Sequence, residues 1–353
     1  MASKDGATNE HLREEEIVPM VITDEIDVAQ LALSQYDIGA DATLRLLNLS
    51  ENATYLVEDA GNQSILRVHR QDYHEPREIE SELDWLQALR TDSDVTVPTV
   101  LPARDGRRVV TLGGRESGGF ARHVVHFGMV AGAEPDEDAL TLDDFHTLGR
   151  ITAALHDHSQ RWERPAGFAR FSWDWEHSLG AAPRWGRWHD AEGVGPAEQQ
   201  VLERAQQLLH DRLHAYGTGS EVYGLIHADL RLANLLVDPD ASGVSKITVI
   251  DFDDCGFGWY FYDFGTAVSF IEDDPALPEW QDAWVSGYRT RRDLPSSDED
   301  MLASFVLLRR LLLLAWMGSH SHSRESATKA ISYAAGSCEL AERYLRSNGL
   351  TLT

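Results

Sequence analysis

The sequence predicts an α+β protein of two unequal lobes, and three observations predict it. From Ala42 to Val110, short runs rich in β-branched residues alternate with turn residues around one helical segment. After Glu134 the apolar spacing becomes helical, and late in the chain two further short strands flank a turn containing Pro and Gly. The expected organisation is an acidic, disordered tail at 1–26, a small antiparallel-sheet lobe at 27–128 and a larger, mainly helical lobe at 129–353.

Taken in order, Asp27 to Tyr36 reads as a short helix. Strands are expected at Thr43–Leu47, Thr54–Glu58, Ser64–His69 and Arg108–Leu112, with a helix from Arg77 to Arg90. Between the first two strands, Asn48-Leu-Ser-Glu-Asn-Ala is a turn of small and polar residues. Such a turn presents backbone N–H groups, here near Ser50 and Asn52, that suit phosphate oxygens; an ordinary hairpin turn is the competing reading. On the helix, Ile79, Leu83, Leu86 and Leu89 form an apolar stripe that also carries Glu82, while Glu80 and Asp84 point away. A carboxylate on a core-facing stripe needs a partner, and Arg67, between apolar neighbours on the preceding strand, is the candidate. A Gly-rich turn at Gly113 to Gly119 and a strand from Ala121 follow.

In the second lobe, Leu148, Ile151 and Leu155 mark one amphipathic helix, and Val201, Ala205, Leu208, Leu209 and Leu213 mark another. His156, His158, His320 and His322 lack the i, i+4 spacing of a helical zinc pair and read as solvated surface histidines. The aromatic segments Phe171-Ser-Trp-Asp-Trp-Glu and Arg184-Trp-Gly-Arg-Trp-His-Asp admit two readings, packing or a wall for a cationic substrate. In the second, Asp174 or Glu176 pairs with the cation, and Asp253, Asp254, Glu272, Asp273 and Asp274 add to the field. The apolar run from Phe305 to Met317 is broken by Arg309 and Arg310 and falls short of the roughly 18 residues of a membrane span, so it reads as a buried helix.

A length of 353 residues with 42% hydrophobic content suits a globular protein with ample core. The net charge of −27 argues against nucleic-acid binding through a basic surface. Two cysteines make no disulfide framework, the N-terminus lacks a signal-like apolar stretch, and the expected location is cytoplasmic, with no membrane partner. Nothing in the sequence sets an oligomeric state.

The chemistry concentrates between Tyr223 and Tyr262. His227, Asp229 and Asn234 stand in the spacing H-x-D-x-x-x-x-N, and Asp251 closes a β-branched run. Leu235–Val237 and Ile247–Ile250 read as paired strands, which brings Asn234 and Asp251 to the same open end. An amide oxygen and a carboxylate there, with Asp229 close by, suit a hard cation such as Mg²⁺. A helix-capping Asp and a turn Asn are the bland alternative, against which the hairpin and Asp251 both weigh.

These residues resemble the catalytic loop and metal segment of the aminoglycoside phosphotransferase family, whose members include choline, type II homoserine and hydroxylysine kinases. The resemblance covers roughly residues 40 to 340 and implies a two-lobed protein-kinase-like fold with nucleotide between the lobes. It implies Asp229 as catalytic base, Asn234 and Asp251 as metal ligands, and His227 as a brace for the loop. Arg231 stands where protein kinases carry a phosphate-contacting Lys. Arg67 stands where they carry the Lys paired to a helix carboxylate, here Glu82. The loop at Ser50 and Asn52 would cover the nucleotide, backbone groups near His126 to Met129 would meet adenine, and Asp263 would support the catalytic loop from below. Ala228 stands where many relatives have Gly, and Asp253 replaces the Gly of D-F-G. The implied reaction is Mg²⁺-dependent transfer of the γ-phosphoryl group of ATP, or of GTP, to a hydroxyl of a small, cationic molecule: an aminoglycoside, an amino alcohol or a hydroxy amino acid. The rivals are a protein serine/threonine kinase and a catalytically idle nucleotide-binding module.

Overall fold

The computed structural model describes residues 25–49, 52–113, 121–135, 140–239, 245–320 and 324–352. The chain opens with α1 (Glu25–Leu33), β1 (Thr43–Leu49), β2 (Ala53–Asp59), β3 (Asn62–Val68), α2 (Pro76–Asp92), β4 (Val109–Leu112) and β5 (Arg122–Gly128). Glu25 and Ile26, assigned to the tail by sequence, belong to α1; residues 1–24 lie outside the described residues. The strands form one antiparallel sheet in the order β1-β2-β3-β5-β4.

Strand alternation sorts the two faces of this sheet. Tyr55, Val57, Leu66, Val68 and Val124 pack against Val28, Ala29 and Ala32 of α1. The intervening residues of β3 and β5, Ile65, Val125 and Phe127, join the core that contains Ile79, Leu83 and Leu86 of α2, so Arg67 also faces that way. The β2–β3 hairpin turns through Ala60 and Gly61, both at positive φ (48° and 86°), the pattern of a two-residue turn that matches strand twist.

The second lobe contains α3 (Leu142–Arg161), α4 (Trp175–Ser178), α5 (Pro196–Tyr216), β6 (Tyr223–Ile226), β7 (Leu235–Pro239), β8 (Ser245–Val249) and β9 (Gly256–Trp259). It closes with α6 (Tyr262–Ala267), α7 (Leu277–Arg289), α8 (Ser296–Glu299), α9 (Leu302–Ser319) and α10 (Arg324–Arg346). β7 and β8 form the expected hairpin, with Leu235 opposite Val249 and Val237 opposite Ile247; β6 pairs with β9. The crossing between lobes is tied to this hairpin, because Ala133 exchanges backbone hydrogen bonds with Val237 at 3.1 and 2.9 Å. The stretch Ser296–Ser319, α8 continued by α9, is long and apolar enough to cross a membrane by length and composition, but its most apolar part is 89% buried inside the lobe. It is the buried helix the two arginines predicted.

Two expectations fail here. His156 and His158 are buried at 0% and 3% exposure, not solvated. α3 is covered on more than one side, so helical spacing alone does not say which of its polar residues stay wet. His158 accepts from the Trp85 indole at 3.2 Å, and His156 bridges Asp263 and Tyr288 at 3.1 and 3.0 Å. Among the other two, His320 is partly exposed at the end of α9, and His322 lies outside the described residues.

Candidate active site

β6 delivers the chain into the turn His227–Ala228–Asp229, and a buried carboxylate fixes its shape. Asp263, at the start of α6 and fully buried, accepts the backbone N–H groups of His227 at 3.2 Å and Ala228 at 2.8 Å. These bonds hold Ala228 at φ 65°, a left-handed conformation in which Gly is the unstrained residue. The Asp229 N–H reaches His227 Nδ1 at 3.3 Å, so the imidazole proton sits on Nε2 and donates to the Ile250 carbonyl at 3.1 Å. Burial lowers the His227 pKa and keeps it neutral for this bracing contact.

Asp229 is held at both oxygens. Asn234 Nδ2 donates to Oδ2 at 2.9 Å and to the Asp229 carbonyl at 2.8 Å, while Arg309 Nη2 donates to Oδ1 at 2.5 Å. Arg231 Nε stands 3.9 Å from Oδ2, its side chain partly open to the cavity. Ile250 N–H donates to the Asn234 carbonyl at 2.9 Å, which draws the ends of the β7–β8 hairpin together and leaves Asp251 in a left-handed turn at φ 61°.

The Asp251 carboxyl is half open to the cavity yet lies deep beneath both lobes. Desolvation, reinforced by the charges of Asp253, Asp229 and Asp254 and opposed by Arg67, lifts its pKa to about 7. A carboxylate so crowded gains from a cation. The Asn234 amide spends its N–H₂ on Asp229, which leaves its oxygen as an acceptor, and Asn234 and Asp251 line the same cavity with oxygen donors. Among the described residues no group of three His, Cys, Asp or Glu forms a complete metal cage. Two oxygen ligands in an open cleft fit Mg²⁺, which keeps waters and takes phosphate oxygens for the remainder of its shell.

The first lobe supplies the opposite wall. Arg67 Nη2 lies 2.7 Å from both oxygens of Glu82, with the two side chains at 8% and 1% exposure. Burial opposes the Arg67 charge, but Glu82, Asp253 and Asp251 more than offset it, so the guanidinium stays protonated. Nη1 is 3.9 Å from Asp251, aimed into the cavity. Glu80 and Asp84 take the other face of α2 and share Arg108 at 2.5 and 2.7 Å. Asn52 lines the cavity, and its Oδ1 accepts the Arg70 N–H at 2.9 Å; Ser50 lies outside the described residues.

Met129 lines the cavity just past β5, but His126 does not. The His126 ring contacts Ser64 Oγ at 2.7 Å and the Tyr36 ring, and its carbonyl accepts from Leu101 N at 2.8 Å. Strand alternation turns His126 away from the cleft that Phe127 faces. Asp253, in the Gly position of D-F-G, is buried against His69 Nδ1 and His74 Nε2, each at 3.3 Å. These contacts, with Arg67, hold its pKa well down despite burial. Arg170 donates to the carbonyls of Asp253 and Cys255, so the segment after Asp251 is pinned from both lobes.

The second-lobe side of the cavity was the least legible. Trp173 and Trp188 are buried packing residues, and Asp174 caps α4 by accepting His177 N at 3.0 Å. Glu272 is buried against Arg310 at 2.8 Å. Trp185 and Asp254 do line the cavity, linked through Tyr73, whose hydroxyl donates to Asp254 at 2.8 Å and accepts from the Trp185 indole at 3.2 Å. Phe270, Arg309, Leu313 and Trp316 complete that side. In the sequence Arg309 stands out only as a break in an apolar run. An arginine inside a buried helix also requires a buried acceptor, and that signal pointed here.

The whole is one cavity of about 660 Å³, within the usual range for a small-molecule site. The sequence profile described as "Phosphotransferase enzyme family" matches residues 43–299. The chain is similar to the solved structure of a microcompartment-associated aminopropanol kinase, at 75% identity over 93% of this chain and 100% of that one, with a TM-score of 0.87. It is similar to amicoumacin kinase of Bacillus subtilis (strain 168), at 26% identity over 80% of this chain and 81% of that one. An amicoumacin kinase in complex with AMP-PNP, Ca2+ and Ami shares the fold at a TM-score of 0.72 and 20% identity, over 90% of this chain and 94% of that one.

Proposed function

The chain belongs to the phosphotransferase enzyme family, and on that premise we propose that it moves the γ-phosphoryl group of ATP to the hydroxyl of a small amino alcohol, with aminopropanol the first candidate. It is a small-molecule kinase, a phosphotransferase with an alcohol group as acceptor. The choice of acceptor draws on the aminopropanol kinase and on the cavity side where Trp185, Trp316 and Phe270 stand with Asp254. Aromatic faces and a carboxylate suit an ammonium group, and a small acceptor leaves most of the cavity to the nucleotide.

One observation carries the assignment of roles: Asp229, Asn234 and Asp251 meet at the end of one hairpin, opposite the Arg67–Glu82 pair from the other lobe. In this reading Asp229 accepts the hydroxyl hydrogen bond and then its proton as the new O–P bond forms, and ADP leaves with the electron pair of the broken P–O bond. Arg67 and Arg231 position phosphate oxygens, His227 and Asp263 hold the loop, and Met129 borders the adenine. Asn234 and Asp251 would hold Mg²⁺, which when bound offsets phosphate charge. Most of the rate enhancement then comes from orientation and fixed charge. The microcompartment association of the 75%-identical relative supports a location at such a compartment, and the cytoplasm is the location we propose for this chain.

The test is ADP release with a panel of acceptors: aminopropanol isomers, ethanolamine, choline, an aminoglycoside and uncharged propanediol. Preference for a small amino alcohol over propanediol by at least about tenfold supports the reading. Equal use of propanediol would remove the cationic acceptor, and ATP turnover with none of the panel would remove the acceptor class.

A further inference from the structure

We propose that Arg309 is a positioning residue that acts through Asp229, and that α9 thereby couples acceptor binding to the alignment of the base. This rests on Asp229 accepting the acceptor hydroxyl, as proposed above. Arg309 is 2% exposed, and every contact of its guanidinium points to a fixed orientation. Nε donates to Ser269 Oγ at 2.9 Å, and Nη1 lies 3.4 Å from both the Ala228 carbonyl and the Tyr262 hydroxyl. Nη2 reaches Asp229 Oδ1 at 2.5 Å. The Trp185 ring lies 5.3 Å from the guanidinium carbon.

A carboxylate turns about a soft terminal torsion, so one hydrogen bond does not define its plane. Asp229 has two donors on different oxygens, Asn234 on Oδ2 and Arg309 on Oδ1. Together they define the plane, and each oxygen retains a lone pair for an incoming hydroxyl. The planar, permanently charged Arg fork suits this task as a Lys does not. Because Ser269 and the Ala228 carbonyl anchor the same guanidinium, it is tied to the catalytic loop independently of Asp229.

α9 adds the coupling. Leu313 and Trp316 follow Arg309 at four and seven residues, so all three share one helix face, and all three line the cavity. An acceptor that presses on Leu313 or Trp316 presses on the helix that orients Asp229. A poorly fitting acceptor would then lose turnover as well as affinity.

The experiment compares Arg309→Met, Arg309→Lys, Arg309→Ala and Asp229→Asn with wild type in steady-state kinetics on the full chain. Arg309→Met should lower kcat by about 100-fold, the cost of a misplacement of about 1 Å, with the KM for ATP unchanged within about twofold. Arg309→Lys keeps the charge and loses the fork, so it should fold as wild type and lose roughly tenfold in kcat. Millimolar guanidinium added to Arg309→Ala should restore part of the lost rate, which a merely structural role would not allow. If Asp229→Asn is inactive while Arg309→Lys keeps wild-type kcat, or guanidinium restores nothing, the positioning role is overturned and the assignment of Asp229 stands. Wild-type turnover in Asp229→Asn would overturn the assignment of Asp229 itself.

Discussion

The two sides of the cleft, proposed above for phosphate and for the acceptor, are assembled in different ways. On the phosphate side, Asp229 lies on the turn after β6 and Asn234 and Asp251 flank the β7–β8 hairpin, all within one short stretch of chain, and the facing pair Arg67–Glu82 comes from one strand and the helix after it. On the acceptor side, Trp185, Phe270 and the α9 residues Arg309 and Trp316 come from three separate segments that only tertiary packing brings together. The first arrangement ties the reaction to local spacing. The second leaves the acceptor wall free to vary without disturbing the hairpin.

That separation can be broken by substitution, most drastically on the phosphate side. Asp229→Asn should lower kcat by about 10²–10⁴-fold while ATP still binds, as seen by thermal shift with nucleotide; wild-type turnover would contradict the assignment. Arg67→Ala leaves the buried Glu82 carboxylate without its ion-pair partner. It should cost about 3–5 kcal/mol of stability and abolish the nucleotide-induced rise in Tm, read by denaturant and thermal unfolding. An unchanged midpoint would show the pair to be dispensable.

Effects on the acceptor side should be smaller and confined to the acceptor. Trp316→Ala should raise the KM for the amino alcohol by roughly 3- to 30-fold, in line with about 0.5–2 kcal/mol for a cation over an aromatic face, and leave the KM for ATP alone. A matching rise in the KM for ATP would erase the distinction between the two sides.

The smallest expected effect is a pH dependence at Asp251. Its pKa is raised in the folded state to about 7, so folding favours its protonated form. Its contribution to stability is then fully present below the ordinary carboxylate range and is lost as pH rises through about 7. In chelator, Tm should show a component that falls between about pH 4 and pH 7, absent in Asp251→Asn and removed by Mg²⁺. A component that rises with pH would reverse the account of this carboxyl.

What was legible in the sequence follows the same division. The strands, the hairpin, the buried α9 and the Arg67–Glu82 pair were readable because each depends on periodicity or short spacing. Asp263 was readable through resemblance, and the structure gives its physical task, accepting two backbone N–H groups. Strand parity, which spacing along the chain does not display at the lobe boundary, turns the His126 side chain towards Ser64 and leaves Phe127 facing the cleft. His156 and His158 were misread because burial of α3 on several sides is a tertiary fact. The Trp173–Trp188 segment was left open between two roles, and packing claims Trp173 and Trp188 while Trp185 reaches the cavity.

The most direct test of the account is the stoichiometry of transfer, measured by following γ-phosphate from ATP into phosphorylated aminopropanol by phosphorus NMR, with wild type and Asp229→Asn side by side. The expected result is one phosphorylated alcohol for each ATP consumed by wild type, and at most about a hundredth as much from the variant in the same time. ATP hydrolysis without a phosphorylated alcohol, or equal product from the variant, would contradict it.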